Sequence, residues 1–265
     1  MAWLNSPIRV AAELAPTVWT FAAAERRRDV PPRLVAARAI GATSAALVDD
    51  IRALRRSAKL PAPVQVVLWP HAGDAGVSPV DFRDIRSVEV PKARVIRERV
   101  APLVRAGARV ADIRLPHECA AALAAARGLT SACVVIAHAG MTCAAVVTGG
   151  HVRARYLSSA VPPTVFDSVA AGFIARYQHI AMLAPHIRDI GGASPQMRLL
   201  VCGHLPGLRA VMVPLVEELD HEIDVLDADI PSAFPHALEA ADPDEIAGAQ
   251  LAWALASTPP GTRGE

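Results

Sequence analysis

Hydrophobic and polar positions along the chain repeat one order of elements twice. Short apolar runs predict strands, and apolar residues at three- and four-residue spacing predict helices. In the first half this pattern predicts strands at 8–13, 18–24, 33–40, 64–69 and 109–113, and helices that begin near Thr43 or Ser44, at 92 and at 116. Three strands in succession therefore lead into alternating helices and strands.

The second half begins the same order again. Its pattern predicts strands at 133–137, 142–148, 151–157, 199–202 and 223–226, and helices at 163–185, 208–219 and 244–256. A three-strand meander that feeds parallel βαβ units, repeated once, predicts two homologous α/β lobes that face each other across a cleft. Each lobe is expected to hold a mixed five-stranded sheet flanked by helices.

The predicted boundaries follow from this repeat. Residues 1–130 form the first lobe, residues 131–257 the second, and residues 258–265 a disordered tail. Between 70 and 91 the pattern breaks into glycines, prolines and acids, with one short strand predicted at 85–90. This stretch is interpreted as an insertion or a much-reduced subdomain.

Composition excludes several classes of protein. Hydrophobic residues make up 52% of the chain and aromatic residues only 4%, so the core is built from small and aliphatic side chains. The net charge of +1 does not provide the basic surface of a nucleic-acid-binding protein. No window approaches the length of a membrane span, and the N-terminus lacks a signal peptide. We therefore expect a soluble cytoplasmic protein without direct membrane insertion.

The cysteines and histidines predict neither a metal site nor a hydrolase. Four cysteines lie in apolar surroundings without a CxxC pair, so they are predicted to be buried free thiols: Cys119, Cys133, Cys143 and Cys202. His138 and His204 lie near two of them, but at spacings that are not those of a metal site. There is also no GxSxG motif. The other histidines considered, His117, His179, His186 and His236, are interpreted as surface or helix-face residues.

A glycine turn supplies the first candidate for ligand binding. From 197 to 227 the chain reads MRLLVCGHLPGLRAVMVPLVEELDHEIDVLD, which predicts a strand, a turn at Gly203 and Gly207, a helix and a second strand. Such a turn brings free backbone N–H groups close to a phosphate or a nucleoside. A βαβ unit without any ligand explains the same pattern, and the segment alone does not separate the two.

Four segments together resemble a known superfamily. They are VCGHLPGLRAVMVPLVEELDHEIDVLD, RVAAELAPTVWTFAAAERRRDVPPRLVAARAI, CVVIAHAGMTCAAVVTGGHVRARYLSSA and EIAGAQLAWALA. The chain from Ile8 to about Ala256 resembles the actin-like ATPases, which include actin, the Hsp70 chaperones, hexokinase and FtsA. Within them it is most similar to the PilM-like proteins of type IV pilus machines, and more distantly to the cytoplasmic part of GspL. The resemblance implies an actin-like (ribonuclease H-like) duplicated fold with a reduced extra subdomain at 70–91.

The resemblance also implies a nucleotide site that has degenerated. Phosphate segments of these proteins read DIGxSxT, in which the aspartate holds Mg²⁺ and the attacking water. Here Glu13 replaces the first aspartate and Ala137 is taken to replace the second. Vestigial cofactor-binding residues are Glu13, Thr17, Gly140, Thr142, Gly203 and Gly207, with no catalytic residue and no metal ligand. We expect no ATP hydrolysis, whereas ATP and Mg²⁺ binding without turnover stays open.

The function implied by this resemblance is a non-catalytic scaffold. Its expected partner is an inner-membrane protein of the PilN or GspL class, bound through that protein's cytoplasmic segment and holding the chain at the membrane. The short insertion at 70–91 leaves the position of the partner site undecided, and self-association is also undecided. The alternative is an active ATPase or small-molecule kinase that uses Glu13 as its surviving acid.

Overall fold

The structure is a computed structural model of the 265-residue chain. It describes residues 8–14, 18–25, 33–42, 44–69, 93–137, 141–159, single positions between 174 and 189, 197–202, 213–219, 223–225 and 250–257. The predicted insertion at 70–91 and the predicted tail at 258–265 lie outside them.

The first sheet holds five strands in the order β3-β2-β1-β4-β5. The strands are β1 (Ile8–Leu14), β2 (Val18–Glu25), β3 (Arg33–Gly41), β4 (Pro63–Leu68) and β5 (Arg109–Arg114). The first three form an antiparallel meander, and β4 and β5 continue the sheet in parallel with β1. The carboxyl ends of β1 and β4 therefore meet at one edge of the sheet.

The second sheet repeats this arrangement, in the order β10-β9-β6-β7-β8. Its strands are β6 (Ala132–Ala137), β7 (Met141–Thr148), β8 (His151–Ser159), β9 (Arg198–Cys202) and β10 (Ile223–Val225). The hairpin between β7 and β8 turns at Gly149 and Gly150, both with positive φ, as the glycine pair predicted. Both mixed five-stranded sheets, and the duplicated order, agree with the sequence prediction.

Helices flank both sheets. They are α1 (Leu47–Ser57), α2 (Ala93–Arg105), a 3₁₀ turn (Pro116–Cys119) that leads into α3 (Ala120–Ala126), α4 (Val213–Leu219) and α5 (Gln250–Ser257). The described positions between 174 and 189 are also helical. Residues 187–189, just past the predicted end of the helical segment near Pro185, are helical as well. Buried Ala184 and Ile187 pack against the second sheet there.

Buried side chains form three layers. One cluster fills the outer face of the first sheet beneath α1 and α2, and another covers the outer face of the second sheet beneath α4. The third lies between the two sheets and draws residues from both of them. This third cluster, the interlobe core, is rich in alanine, which lets sheets and helices approach closely.

Two helices are exchanged between the halves in the interlobe core. Helix α3 follows the strands of the first sheet in sequence, yet it packs against β6, β7 and β8 of the second. Helix α5 follows the strands of the second sheet, yet it packs against β1, β2 and β4 of the first. The two lobes are therefore held together by reciprocal packing, with no ligand required for the contact.

Side-chain burial confirms one prediction and corrects another. All four cysteines are buried and free, as their apolar surroundings predicted. His117 was predicted to be a surface or helix-face residue, but it is only 4% exposed, because the 3₁₀ turn that carries it lies against the interlobe core. No described helix is long and apolar enough to cross a membrane.

Two arginines on α1 cap the carboxyl end of α2. Arg52 donates a hydrogen bond of 2.9 Å to the carbonyl of Arg105, and Arg55 donates one of 2.9 Å to the carbonyl of Ala106. These carbonyls end α2, where the helix dipole favours a positive charge. Arg52 and Arg55 therefore join α1 to α2.

Replacing Arg55 with alanine should lower the free energy of unfolding by about 1 to 2 kcal/mol, because a half-buried charged donor to a helix end is lost. Urea unfolding of the Arg55→Ala protein measures this. The matched control is Arg56→Ala, which removes the same side chain from an exposed position next to it. Equal effects of the two substitutions would show that the capping bond contributes nothing.

Candidate functional site

Glu13 is the acid on which the predicted site depends, and it lies near the carboxyl end of β1. Three nearby residues show which way its side chain points. Ala11 lies two residues before it on β1, Ala22 lies opposite Ala11 on β2, and Val67 is the partner of Glu13 on β4. All three belong to the interlobe core. Side chains alternate along strands, so Glu13 points between the two sheets with only 3% of its surface exposed.

Two side chains hold the Glu13 carboxylate. The indole Nε1 of Trp69 donates to Oε1 over 2.6 Å, and the hydroxyl of Thr20 donates to Oε2 over 3.0 Å. Thr20 lies directly opposite Glu13 in the antiparallel β1–β2 pair. Trp69 follows the last residue of β4, the parallel neighbour on the other side. The carboxylate thus links three adjacent strands.

Burial changes the acidity of this group. The loss of water around the carboxylate raises the pKa of Glu13 from 4.5 to about 7, and the hydrogen bonds from Trp69 and Thr20 partly oppose this rise. No cation among the described residues forms an ion pair with it. Near neutral pH Glu13 is therefore a partly protonated carboxyl group, which is a poor ligand for a hard divalent cation.

Three thiols lie near Glu13 in the interlobe core. Burial raises the pKa of Cys119 and of Cys202, and the negative charge of Glu13 adds to both shifts. Opposing this, the guanidinium of Arg114, paired with Asp112 over 2.9 Å, lowers the pKa of Cys119. Thiols in this state are weak nucleophiles. The cluster consequently offers packing volume and no reactive group.

The second copy of the site has an apolar residue where the first has Glu13. Glu13 pairs with Thr20 across the β1–β2 turn, and Ile136 pairs with Cys143 across the β6–β7 turn, with the same separation in sequence. Both Ile136 and Cys143 belong to the interlobe core. Ile136 is therefore the counterpart of Glu13.

This corrects the assignment of the lost acid to Ala137. Ala137 packs in the cluster on the outer face of the second sheet, so its side chain points away from the interlobe core. The assignment was one residue out because the β1 strand extends to Leu14, one residue beyond its predicted end. The second position remains without a carboxylate, as predicted.

The structure brings few of the predicted cofactor-binding residues together. Thr142 is buried on β7, but its neighbours at alternate positions, Ala144 and Val146, pack on the outer face. Its side chain is thus on the opposite face of the sheet from Cys143. Thr17, Gly140, Gly203 and Gly207 lie outside the described residues, and their roles stay predictions.

Sequence reasoning missed Trp69 and Thr20 as partners of Glu13. Trp69 was placed at the end of an apolar strand, and its indole nitrogen was given no acceptor. A buried indole N–H needs an acceptor, and Glu13 is an acid at the end of a predicted strand. The requirement of the Trp69 indole for an acceptor was the signal in the sequence that could have identified this contact. Among the described residues, no three His, Cys, Asp or Glu side chains lie together as a group able to hold a metal ion.

Replacing Glu13 with glutamine should flatten the pH dependence of stability. The native protein keeps the Glu13 proton to a higher pH than the unfolded chain does, so the free energy of unfolding falls as the pH rises from 4.5 to about 7. The shift corresponds to about 3 kcal/mol. We expect Glu13→Gln to shrink the difference in unfolding free energy between pH 5 and pH 8 by up to that amount, as measured by urea denaturation.

Two further variants make this test specific. Glu217→Gln removes an exposed carboxylate from α4 and should leave the difference between pH 5 and pH 8 unchanged. Trp69→Phe removes the indole donor and should enlarge the difference, because the ionised form then loses a hydrogen bond. An unchanged difference in the Glu13→Gln protein would contradict this account of its burial.

Sequence comparison finds no matching protein-family model and no matching curated protein. Solved structures, by contrast, do match. The chain aligns with the PilM-PilN type IV pilus biogenesis complex at a TM-score of 0.63 and 14% identity, covering 94% of this chain and 97% of that one. It also matches the ethanolamine utilization protein EutJ from Carboxydothermus hydrogenoformans at a TM-score of 0.57 and 13% identity, covering 95% and 91%.

An enzyme of the same architecture is also similar. A ROK family glucokinase from Streptomyces griseus, solved with glucose and AMPPNP, matches at a TM-score of 0.54 and 10% identity, covering 94% of this chain and 98% of that one. Identities this low identify a shared fold and leave function open. Together with the two duplicated sheets, these matches show that the chain has the actin-like ATPase fold.

Proposed function

We propose that this protein is a non-catalytic PilM-like scaffold that binds the cytoplasmic segment of a PilN-like inner-membrane protein and thereby stays at the cytoplasmic face of the membrane. The observation that carries the non-catalytic part is Ile136, which is 1% exposed at the position equivalent to Glu13. An isoleucine cannot hold Mg²⁺ or orient a water molecule. Loss of one such electrostatic group costs roughly a hundredfold to a thousandfold in rate.

The state of Glu13 supports the same proposal. An acid that holds Mg²⁺ through water has to stay ionised and open to the metal's hydration shell. Glu13 is instead buried, accepts a 2.6 Å hydrogen bond from Trp69, and has a pKa raised to about 7. The described residues therefore do not fit a magnesium-bound phosphate.

The scaffold part of the proposal is supported by the fold comparison. Among the solved structures similar to this chain is a PilM-PilN complex that aligns over nearly its whole length. A docked peptide segment requires a groove or a free sheet edge and no catalytic group. Loss of the acids therefore leaves a binding function intact.

The second candidate is an active ATPase or small-molecule kinase. The similar ROK glucokinase was solved with glucose and AMPPNP, so the fold in general can hold a nucleotide. Such an enzyme would use Glu13 as its surviving acid. Direct measurement of ATP binding and phosphate release separates this candidate from the scaffold.

The purified full chain, mixed with ATP and Mg²⁺, is expected to release phosphate at no more than the background rate, because neither acid position is suited to the metal. Isothermal titration measures binding and a coupled phosphate assay measures turnover. In parallel, the cytoplasmic segment of a PilN-class protein should bind with the same dissociation constant in ATP and Mg²⁺ as in EDTA.

Each part of the proposal has its own contrary result. Micromolar ATP binding with phosphate release that Glu13→Gln abolishes would establish the enzyme and end the non-catalytic proposal. Failure of the PilN-class segment to bind would end the scaffold proposal, whatever the outcome with ATP. Binding of the segment only when ATP is present would replace the scaffold by a nucleotide-controlled switch.

A further inference from the structure

The carboxyl ends of α1 and α2 meet at one end of the first lobe. The hydrogen bonds from Arg52 and Arg55 to the carbonyls that end α2 join the two helices there. Arg109 is the first residue of β5, and its backbone N–H donates to the carbonyl of Ala62 over 2.7 Å, just before β4. Segments that are distant in sequence therefore form one surface at this end.

This surface carries an excess of positive charge. Residues 51–64 and 101–111, which form it, hold six Arg and Lys residues and no Asp or Glu. Four of the six are exposed and form no ion pair with a described residue. These four, the basic end of the first lobe, are Arg56, Lys59, Arg105 and Arg109. Because the whole chain has a net charge of +1, four uncompensated charges in one place are a strong local excess.

Acids close to the basic end in sequence do not neutralise it. Asp49 and Asp50 lie in the first turn of α1, at the opposite end of that helix. Asp112 on β5 pairs with Arg114 over 2.9 Å, in an ion pair that is largely buried. The positive charge of the basic end is therefore directed to solvent.

Stabilisation of the helices does not account for all four cations. Arg56 and Arg105 lie in the last turns of α1 and α2, where the helix dipole favours a positive charge. Lys59 and Arg109 lie beyond the ends of the helices, so their charges do not serve the dipoles in this way. A ligand with several negative charges would use the whole set.

The other residues of this surface indicate which kind of polyanion it suits. Residues 51–64 and 101–111 contain no aromatic side chain that could stack on a nucleic-acid base. Val104, next to Arg105, is instead 55% exposed. An apolar side chain beside cations suits the boundary between the phosphate headgroups and the acyl chains of a lipid bilayer.

We propose that the basic end binds the anionic surface of a lipid bilayer, with Val104 at the headgroup boundary and no helix inserted. The choice of a membrane over other polyanions rests in part on the proposed function, which keeps the chain at the cytoplasmic face of the inner membrane. Anionic lipids give such a leaflet a negative surface potential that attracts clusters of Lys and Arg. A lipid contact and a protein partner in the same membrane would strengthen each other, because the second contact is made at high effective concentration.

The test mixes the full chain with vesicles of phosphatidylcholine alone or of phosphatidylcholine with phosphatidylglycerol, and measures the partition coefficient by sedimentation. Binding is expected only to the anionic vesicles, and it should weaken as salt is added. The double variant Arg56→Gln with Arg109→Gln removes two charges of the basic end. Each charge next to an anionic leaflet contributes roughly fivefold, so this protein should bind about twentyfold less well.

A matched double variant controls for net charge. Arg97→Gln with Arg153→Gln also removes two exposed cations, one from the first half of α2 and one from β8, both outside the basic end. It should change the partition coefficient less than about threefold, because salt screens charges that do not touch the vesicle. Thermal unfolding of both double variants establishes that they are folded.

The outcomes separate this inference from the scaffold proposal, because the vesicles contain no protein partner. A loss of binding that is confined to the Arg56→Gln/Arg109→Gln protein supports the membrane contact. No binding, equal binding to neutral vesicles, or equal loss in both double variants overturns it and leaves the scaffold standing. Tighter binding to a DNA duplex or to polyglutamate than to vesicles, lost in the same variant, would assign the basic end to another polyanion and overturn the membrane. Failure of the PilN-class segment to bind ends the scaffold, whatever the vesicles show.

Discussion

The hydrogen bond from the Trp69 indole to the Glu13 carboxylate is the polar contact around which the interlobe core is arranged. Removing a carboxylate from water costs several kcal/mol unless its oxygens find donors. Trp69 and Thr20 supply those donors from the two strands on either side of β1. The contact fixes the ends of three strands relative to each other, at the edge of the sheet where the two lobes meet.

Packing around this contact explains how the lobes stay together. Helices α3 and α5 each pack on the sheet of the other half, and alanine predominates where they touch the strands. Small side chains let helix and sheet approach closely, so many weak contacts replace a few large ones. Because the interlobe core draws residues from both halves, neither half buries the inner face of its sheet alone. The contact between the two lobes therefore contributes to the stability of each.

Sequence patterns predicted the strands because most are short apolar runs bounded by glycine, proline or charge. The run at 64–69 and the Gly149–Gly150 pair are clear cases. Patterns could not predict contacts that depend on distant segments. Glu13 and Trp69 are 56 residues apart, and the arginine caps on α2 join residues more than fifty positions apart. The burial of His117 and the exchange of helices also depend on tertiary packing. The second acid position was misassigned because strand ends are uncertain by a residue, and one residue reverses the face.

Ile136 and Glu13 show how the same backbone position serves two different needs. Both lie one residue before the end of the central strand of a sheet, facing the interlobe core. Ile136 completes the core by apolar contact alone. At Glu13 a carboxyl group is buried, which costs free energy, and the Trp69 indole donates a hydrogen bond to it. A polar side chain retained at such a cost constrains its neighbours, since Trp69 and Thr20 must keep their donors aimed at it. The hydrogen bonds from Trp69 and Thr20 thus give the Glu13 carboxylate a structural role in joining β1 to both of its neighbouring strands.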